Sequence, residues 1–242
     1  MKTDHKTEDI PFIFREDYPC PYFGDGRVST SEYLIPDKKH GAGFHKLLAK
    51  GYRRLGQIFY RNACRDCSAC LPLRIEADKF VVSASQKRTL KKNEDIQVEI
   101  SFSSMLTPEK AALYEKYINS KHRDASKKEP HDPLPVLFAI HSGYDHIIEM
   151  TYYYGKKLIA VGIVDEAEDA LSSNYFYYDT AYLDRRPGVL SMLHEISLAK
   201  KMGKKYHYLG FCIEDNTKMA YKKYFRPNQI YRNNRWEKFL TR

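Results

Sequence analysis

The sequence lacks any run of apolar residues long enough to span a membrane, which takes about 18 or more. Its first ten residues, MKTDHKTEDI, have neither the apolar core of a secretory signal nor the arginine-rich pattern of a transit peptide. A phosphate-binding loop, a dinucleotide fingerprint and closely spaced histidine pairs are also missing. These absences predict a cytoplasmic protein with no membrane partner. They also exclude the nucleotide-binding classes that a phosphate-binding loop or a dinucleotide fingerprint marks.

Cysteine is scarce, with five residues in 242, and without a secretory signal a disulfide framework is not expected. Three of the five form the pattern C-x2-C-x2-C in YRNACRDCSACLP. Thiolates at this spacing converge on one ion, and DYPCPYF offers a fourth sulfur. We therefore predict zinc or an iron–sulfur cluster, since both accept four sulfurs, at Cys20, Cys64, Cys67 and Cys70. Four reduced thiols without metal are the alternative, and Cys212, in an apolar strand pattern, is interpreted as a core residue.

Positive charge is concentrated in two windows of the chain. Residues 46–92 contain 12 Lys and Arg against 3 Asp and Glu, and residues 200–242 again contain 12 against 3, whereas the whole chain carries +9. Such segregation produces a positive field over part of the surface, which favours a polyanion such as RNA. Lys87 and Lys91 lie four residues apart, so they cluster on one helical surface. The alternative is two solvated lysine-rich faces without a ligand.

Pattern changes divide the chain into residues 1–100 and 101–242. Irregular chain is predicted over the first thirty residues, which contain several Pro and Gly. The extended segment GYRRLGQIFY, the cysteine knuckle, the strand LPLRIEA and a helix through QKRTLKKN, capped by Ser83 or Ser85, follow. A helix from Thr107-Pro108 and a loop over 121–135 lead into the second part.

From Ile147 the pattern predicts three strands, a helix, a strand, a short helix over about 216–224 and two final strands. This order is typical of an α+β fold. We predict a small N-terminal cysteine-knuckle (metal) domain followed by a GNAT-like acyltransferase domain.

Two further segments contain residue types that bind phosphate. In DRRPGVLSMLHEI, Arg185 and Gly188 stand at the start of a helix, whose unpaired N–H groups and dipole suit the terminal nucleotide of a tRNA. In YLGFCIEDNTKMAYKKYFRP, Lys218, Tyr221 and Lys222 share a helical face, where lysines meet phosphate and the tyrosine stacks or donates a hydrogen bond. The alternatives are an ordinary Pro-Gly turn and a plain amphipathic helix.

The stretch from GYRRLGQIFY through the knuckle to QKRTLKKN, together with YLGFCIEDNTKMAYKKYFRP, resembles the two signature regions of the arginyl-tRNA protein transferase family. It resembles in particular the short bacterial aspartate/glutamate leucyltransferase branch, and Cys20-Pro21-Tyr22 is similar to the N-terminal element of that family. The resemblance implies an aminoacyltransferase that moves leucine, with arginine as the next choice, from aminoacyl-tRNA to the N-terminal Asp or Glu of acceptor proteins. This transfer would mark the acceptors for N-degron degradation.

In the implied reaction, the α-amine of the acceptor attacks the ester of the aminoacyl-tRNA. A base and oxyanion donors assist such a step, and our candidates are Tyr178, Asp179 and Tyr221. An acidic terminus needs a fixed cation, for which the arginine fork is suited, and the candidates are Arg53 and Arg54, then Arg74 and Arg88. The tRNA is expected to contact Lys87, Lys91, Arg185, Gly188, Lys218 and Lys222.

Two other functions stay open at this point. A non-catalytic zinc-containing RNA-binding protein explains the basic windows and the knuckle, but not the GNAT-like second part. A CoA-dependent N-acetyltransferase explains the second part, but Leu190 stands where an acetyl-CoA-binding turn has its second glycine. We therefore expect no CoA or nucleotide cofactor, and a monomer that binds aminoacyl-tRNA and acidic N-termini.

Overall fold

The computed structural model describes residues 12–36, 43–121 and 132–239, and the strands in these ranges form two sheets. The smaller sheet is antiparallel, with the order β1-β2-β4-β3. Its strands are β1 (Phe12–Pro19), β2 (Val28–Ile35), β3 (Arg53–Leu55) and β4 (Ile58–Asn62), with helix α1 (Phe44–Ala49) between β2 and β3. The prediction of irregular chain over the first thirty residues is wrong for residues 12–19 and 28–30, because all eight residues of β1 pair with β2 and Pro19 ends the strand instead of interrupting it. Residues 1–11 of that prediction lie outside the described residues.

Eight strands form the larger sheet. They are β5 (Leu71–Glu76), β6 (Ile96–Ser101), β7 (Ile147–Tyr154), β8 (Lys157–Glu166), β9 (Ala170–Tyr178), β10 (Tyr206–Cys212), β11 (Gln229–Arg232) and β12 (Arg235–Lys238). Their order across the sheet is β12-β11-β5-β10-β9-β8-β7-β6. Neighbouring strands are antiparallel except β9 and β10, which run parallel because helix α5 (Pro187–Lys201) connects them.

Helices cover both faces of the larger sheet. Besides α1 and α5, the described residues form the helices α2 (Ala84–Lys92), α3 (Pro108–Lys121) and α4 (Leu134–His141). They also form 3-10 helices at Ala77–Lys79, Thr180–Arg185 and Ala220–Tyr224. Val161 of β8 packs in one core with Leu113 and Tyr114 of α3, whereas Ala160 packs in another with Leu190 of α5. Since alternate residues of a strand point to opposite faces, α3 and α5 lie on opposite sides of the sheet.

The ends of the helices show which sequence signals were reliable. Helix α2 begins at the predicted cap, because Ser83 Oγ accepts from the Gln86 N–H and the Gln86 side chain accepts from the Ser83 N–H. The helix predicted over 216–224 is reduced to the 3-10 helix at Ala220–Tyr224. The loop predicted over 121–135 ends where α4 begins at Leu134, and residues 122–131 of it lie outside the described residues.

The mixture of helices with mostly antiparallel strands confirms the α+β prediction. The larger sheet takes β5 and β6 from the first part of the chain, so the change of sheet lies between Asn62 and Leu71. The cysteine knuckle is the connection between the two sheets. A separate metal domain and the domain division at residue 100 stay predictions.

Candidate functional site

Strands β9 and β10 separate after a short parallel pairing. They are joined over three residue pairs, the last being Tyr208 with Ser172. Beyond this point β10 shifts its register and continues from Gly210 against β5. The β9 carbonyl groups after Ser172 therefore face a gap, which we call the β9–β10 junction.

Arg53 of the smaller sheet fills this junction. Its Nη2 donates to the carbonyl oxygens of Ser173, at 2.6 Å, and Asn174, at 2.8 Å. A Cβ atom at Gly210 would lie 1.5 Å from Arg53 Nη1, so the guanidinium passes where any other residue would place its side chain. Arg53 thus joins the two sheets, and the acceptor carboxylate predicted for it would have to compete with two β9 carbonyls.

A buried carboxylate lies beside the junction. Glu195 of α5 accepts from Ser191 Oγ at 2.6 Å and from Ser173 Oγ, and His207 Nε2 lies 3.2 Å from its Oε2. Burial alone would raise the pKa of Glu195, but hydrogen bonds from His207, Ser173 and Ser191 hold that pKa below its ordinary value. Among the described residues, His207 Nδ1 has no hydrogen-bond partner.

Tyr221 and Gly188, predicted from separate motifs, meet at the start of α5. A Cβ at Gly188 would lie 3.0 Å from Tyr221 Oη, so glycine permits the close approach. Burial, followed by the Glu195 charge and the phenols of Tyr178 and Tyr117, raises the pKa of Tyr221. Burial also raises the pKa of Tyr178. Both groups are therefore protonated phenols, which can donate hydrogen bonds to an oxyanion, and Tyr221 lies at a helix N-terminus that also favours negative charge.

Lys222 is buried rather than exposed to a phosphate. Its Nζ donates to the Leu209 carbonyl at 2.8 Å. Burial, followed by the charge of Arg53, lowers the pKa of Lys222 to about 7, although Cys212 and Glu195 act in the opposite direction. The tRNA contact predicted for Lys222 would require this side chain to leave Leu209, because the 3-10 turn directs it towards β10.

Asp179, the third predicted catalytic group, is occupied by cations. Its oxygens lie 2.7 Å from Lys116 Nζ and 2.9 Å from Lys157 Nζ, and the carboxylate also accepts from the Ala181 N–H. Burial would raise the pKa of Asp179, but hydrogen bonds from Lys116 and Lys157 hold it at about 2. Since a carboxylate with so low a pKa is a weak base at neutral pH, the structure does not support its role as proton acceptor.

Two of the arginines predicted to bind the acceptor are buried and already paired. Arg54 Nη2 lies 2.7 Å from Asp165 Oδ1, and both side chains are 1% exposed. Arg74 lies between the rings of Tyr206, at 3.9 Å, and Trp236, at 4.2 Å. Neither offers a free fork, so an acceptor carboxylate would have to displace the present partners of these two side chains. Spacing alone did not show their burial.

The remaining cationic candidates lie at the surface, most of them on or near α2. Lys87, Arg88 and Lys91 are exposed on this helix, and Lys218 is exposed after β10. Arg185 makes two hydrogen bonds, of 2.7 and 2.9 Å, to the Asp95 carboxylate, so its predicted phosphate contact has a competitor. The exposed residues stay predictions for tRNA binding.

The four cysteines predicted to bind metal lie together. Burial raises the pKa of Cys70 to about 12, and Cys64, Cys20 and Cys67 add to this shift. Thr30 N–H donates to Cys64 Sγ at 3.4 Å, a contact that also suits a thiolate. In the described ranges no three His, Cys, Asp or Glu side chains have metal-binding geometry. The sulfur donor set fits zinc or an iron–sulfur cluster in its chemistry, and the metal itself stays a prediction.

The carboxylate network around Glu195 was not predicted from sequence patterns. Glu195 is the one acidic residue in α5, PGVLSMLHEISLAKK, and His207 interrupts the apolar pattern of β10. A polar residue inside an apolar element is costly to bury unless it finds a partner, so each was a signal for a buried pair. The pairing itself depends on the parallel β9–β10 contact, which spacing does not reveal.

Within the described ranges, no helix is both long and apolar enough to cross a membrane. The crystal structure of FemX covers 87% of this chain and 82% of its own at 10% identity, with a TM-score of 0.45. At that similarity the likeness carries no argument about function or fold family.

Sequence comparison is more informative. Two family models match the chain, the N terminus of arginine-tRNA-protein transferase over residues 18–88 and its C terminus over residues 109–232. The aspartate/glutamate leucyltransferase of Shewanella putrefaciens is 37% identical over 98% of this chain and 99% of its own. That of Shewanella oneidensis is 36% identical over 98% of each chain, and that of Pseudoalteromonas atlantica 32% over 94% and 97%. With both models matched and the identity extending over nearly the whole length, the chain belongs to the arginine-tRNA-protein transferase family of transferase enzymes.

Proposed function

We propose that this transferase moves leucine from leucyl-tRNA to the N-terminal aspartate or glutamate of acceptor proteins, marking them for N-degron degradation. The observation that carries the proposal is the 36–37% identity, over 98% of this chain, to proteins named aspartate/glutamate leucyltransferases. Arginine is the second candidate for the donated residue, because both matching family models are described as arginine-tRNA-protein transferase.

The reaction requires little from the protein beyond positioning the acceptor amine against the aminoacyl ester. The acceptor α-amine, with an ordinary pKa near 8, forms a C–N bond with the ester carbonyl. The C–O ester bond breaks, and the ribose hydroxyl leaves with the proton that the amine gives up. In this proposal the protonated Tyr221 and Tyr178 phenols donate to the developing oxyanion, and the N-terminus of α5 receives the last phosphate of the tRNA.

The β9–β10 junction counts against a CoA-dependent acetyltransferase. An extended acyl carrier entering between the strands needs backbone acceptors on β9, and Arg53 already uses the carbonyls of Ser173 and Asn174. A purely RNA-binding protein is disfavoured because the relatives are named transferases.

Several finer statements belong to the same proposal. We include a GNAT-like active-site domain and a monomeric state. We also include a cytoplasmic location, which the five free cysteines support because the cytosol keeps thiols reduced. We also include a metal held by Cys20, Cys64, Cys67 and Cys70. Bound zinc or an iron–sulfur cluster would fix the N-terminal arm to the connection between the sheets.

The proposal is tested by incubating the protein with radiolabelled leucyl-tRNA or arginyl-tRNA and peptides beginning with Asp, Glu, Lys or Ala. We expect label to appear in the Asp and Glu peptides and to come from leucyl-tRNA. Label from arginyl-tRNA alone would replace leucine by arginine, and label in no peptide would refute the transfer.

A further inference from the structure

A cationic cleft lies beside the cysteine knuckle, outside the β9–β10 junction. Its volume is about 340 Å³, and it is bounded by the knuckle, the end of α1 and the turn between β11 and β12. The side chains of Arg27, Lys50, Arg61 and Arg232 line it together with the four cysteines of the proposed metal site, and no Asp or Glu of the described residues does. Arg27 is paired with the Asp25 carboxylate and its Nη1 contacts Cys67 Sγ, so the other three cations are the ones that favour an anion here.

Two of these cations are not consumed by strong partners. In the part of the chain that the structure describes, the Lys50 ammonium makes no hydrogen bond or ion pair. Arg232 approaches Glu237 only at 3.6 Å, on an exposed turn. Arg61 shares the Glu32 carboxylate with Arg15, so one negative charge faces two guanidinium groups. An excess of positive charge remains at the cleft.

Phe211 lies between the cleft and the β9–β10 junction. Phe211 forms part of the cleft wall, and its ring lies 5.6 Å from the Arg53 guanidinium that fills the junction. Leu71, Pro72 and Tyr231 add apolar surface to the wall. The methylene groups of an acidic side chain bound here would contact apolar surface, and its carboxylate would contact cations.

We propose that this cleft binds the side-chain carboxylate of the acceptor's N-terminal Asp or Glu, with Lys50 and Arg232 as the residues that determine acidic specificity. The inference rests on the proposed transfer to acidic N-termini. In this inference Lys50 and Arg232 of the cleft recognise the acceptor, instead of Arg53 and Arg54, which are engaged elsewhere. The size of the cleft suits one or two residues of a peptide, whereas single-stranded RNA is bound along extended grooves with several stacked bases.

The test compares matched variants on matched peptides. Lys50→Met and Arg232→Gln remove the cleft cations, and Lys46→Met and Arg235→Gln are the controls. Lys46 is an exposed lysine of α1, and Arg235 lies 3.7 Å from the same Glu237 carboxylate as Arg232, but neither lines the cleft. For each variant kcat/KM is measured with leucyl-tRNA on an Asp-starting peptide and on its neutral Asn-starting counterpart, and tRNA affinity is measured separately.

We expect each cleft variant to lose about tenfold in the ratio of Asp to Asn kcat/KM, as for the loss of one charge-assisted contact. The control variants and tRNA affinity should not change. A preserved ratio in both cleft variants would overturn the inference, and a preserved ratio with weakened tRNA binding would assign the cleft to RNA instead. The wild-type reaction separates the proposed function from the proposed role of the cleft. If the wild type does not label the Asp peptide, the proposed function itself is refuted.

Discussion

Replacing Gly210 by alanine tests whether Arg53 holds the two sheets together at the β9–β10 junction. Gly210 has a φ of +80°, and an added Cβ would lie 1.5 Å from Arg53 Nη1 and 2.7 Å from Arg53 Cζ. The guanidinium must therefore leave the carbonyls of Ser173 and Asn174. We expect the folded protein to lose both hydrogen bonds and to carry backbone strain at residue 210.

The magnitude follows from these two contributions. A hydrogen bond from a charged donor is worth roughly 1.5–3 kcal/mol, and a left-handed backbone conformation costs a non-glycine residue about 1–2 kcal/mol. Gly203→Ala is the matched control, because Gly203 has a φ of +66° but nothing within 4 Å of an added Cβ. We expect Gly210→Ala to lower the free energy of unfolding by about 3 kcal/mol more than Gly203→Ala does.

Urea unfolding followed by tryptophan fluorescence measures this difference. Trp236, the one tryptophan of the chain, packs edge-on against Tyr208 of β10 at 5.5 Å, so its emission reports on this region. The same measurement in an Arg53→Met background completes a double-mutant cycle. Equal losses in Gly210→Ala and Gly203→Ala, or a Gly210→Ala loss that persists unchanged without Arg53, would refute the reasoning.

Three further predictions concern buried charges and the cysteines. Arg54→Met should lower the free energy of unfolding by about 3–5 kcal/mol, because it leaves the buried Asp165 carboxylate without its cation, and a loss below about 1 kcal/mol in urea unfolding would contradict the pair. Lys222 has a pKa of about 7 in the folded protein, below its ordinary 10.5, so between these pH values the unfolded chain binds one proton more than the folded chain. The free energy of unfolding of the wild type should therefore fall as the pH drops from about 10.5 to 7, and it should level off below pH 7. Lys222→Met should remove this dependence, a slope of about 1 kcal/mol per pH unit in unfolding free energy, and an unchanged slope would contradict the depressed pKa. Cys67→Ser should lose bound metal and transfer activity together, as measured by elemental analysis and peptide labelling, and full activity in metal-free variant protein would reject the metal's role.

Local patterns in the sequence predicted elements better than they predicted exposure. The Ser83 cap, the strand in LPLRIEA and a helix start within DRRPGVLSMLHEI follow from short-range rules, and the structure has all three. Whether an arginine is exposed depends on which strands become neighbours. Arg53 and Arg54 are adjacent in sequence, yet one reaches the β9–β10 junction and the other the buried Asp165.

The candidate site was predictable in its parts but not in its assembly. Tyr221 and Gly188 came from different motifs more than thirty residues apart in the sequence, and only the crossover from β9 through α5 to β10 brings them together. The four cysteines were grouped by spacing and by the need for a fourth sulfur, and they lie together in the fold. The cleft at Lys50 and Arg232 joins residues 182 positions apart in the sequence, so no local signal pointed to it.

Competition between donors measures the central claim most directly. Leucyl-tRNA and arginyl-tRNA are supplied together at equal concentration with an Asp-starting peptide and its Asn-starting counterpart, and the products are read by mass spectrometry. Leucyl transfer from leucyl-tRNA to an acidic N-terminus predicts one added leucine on the Asp peptide and an unmodified Asn peptide. An added arginine, or equal modification of both peptides, would contradict it.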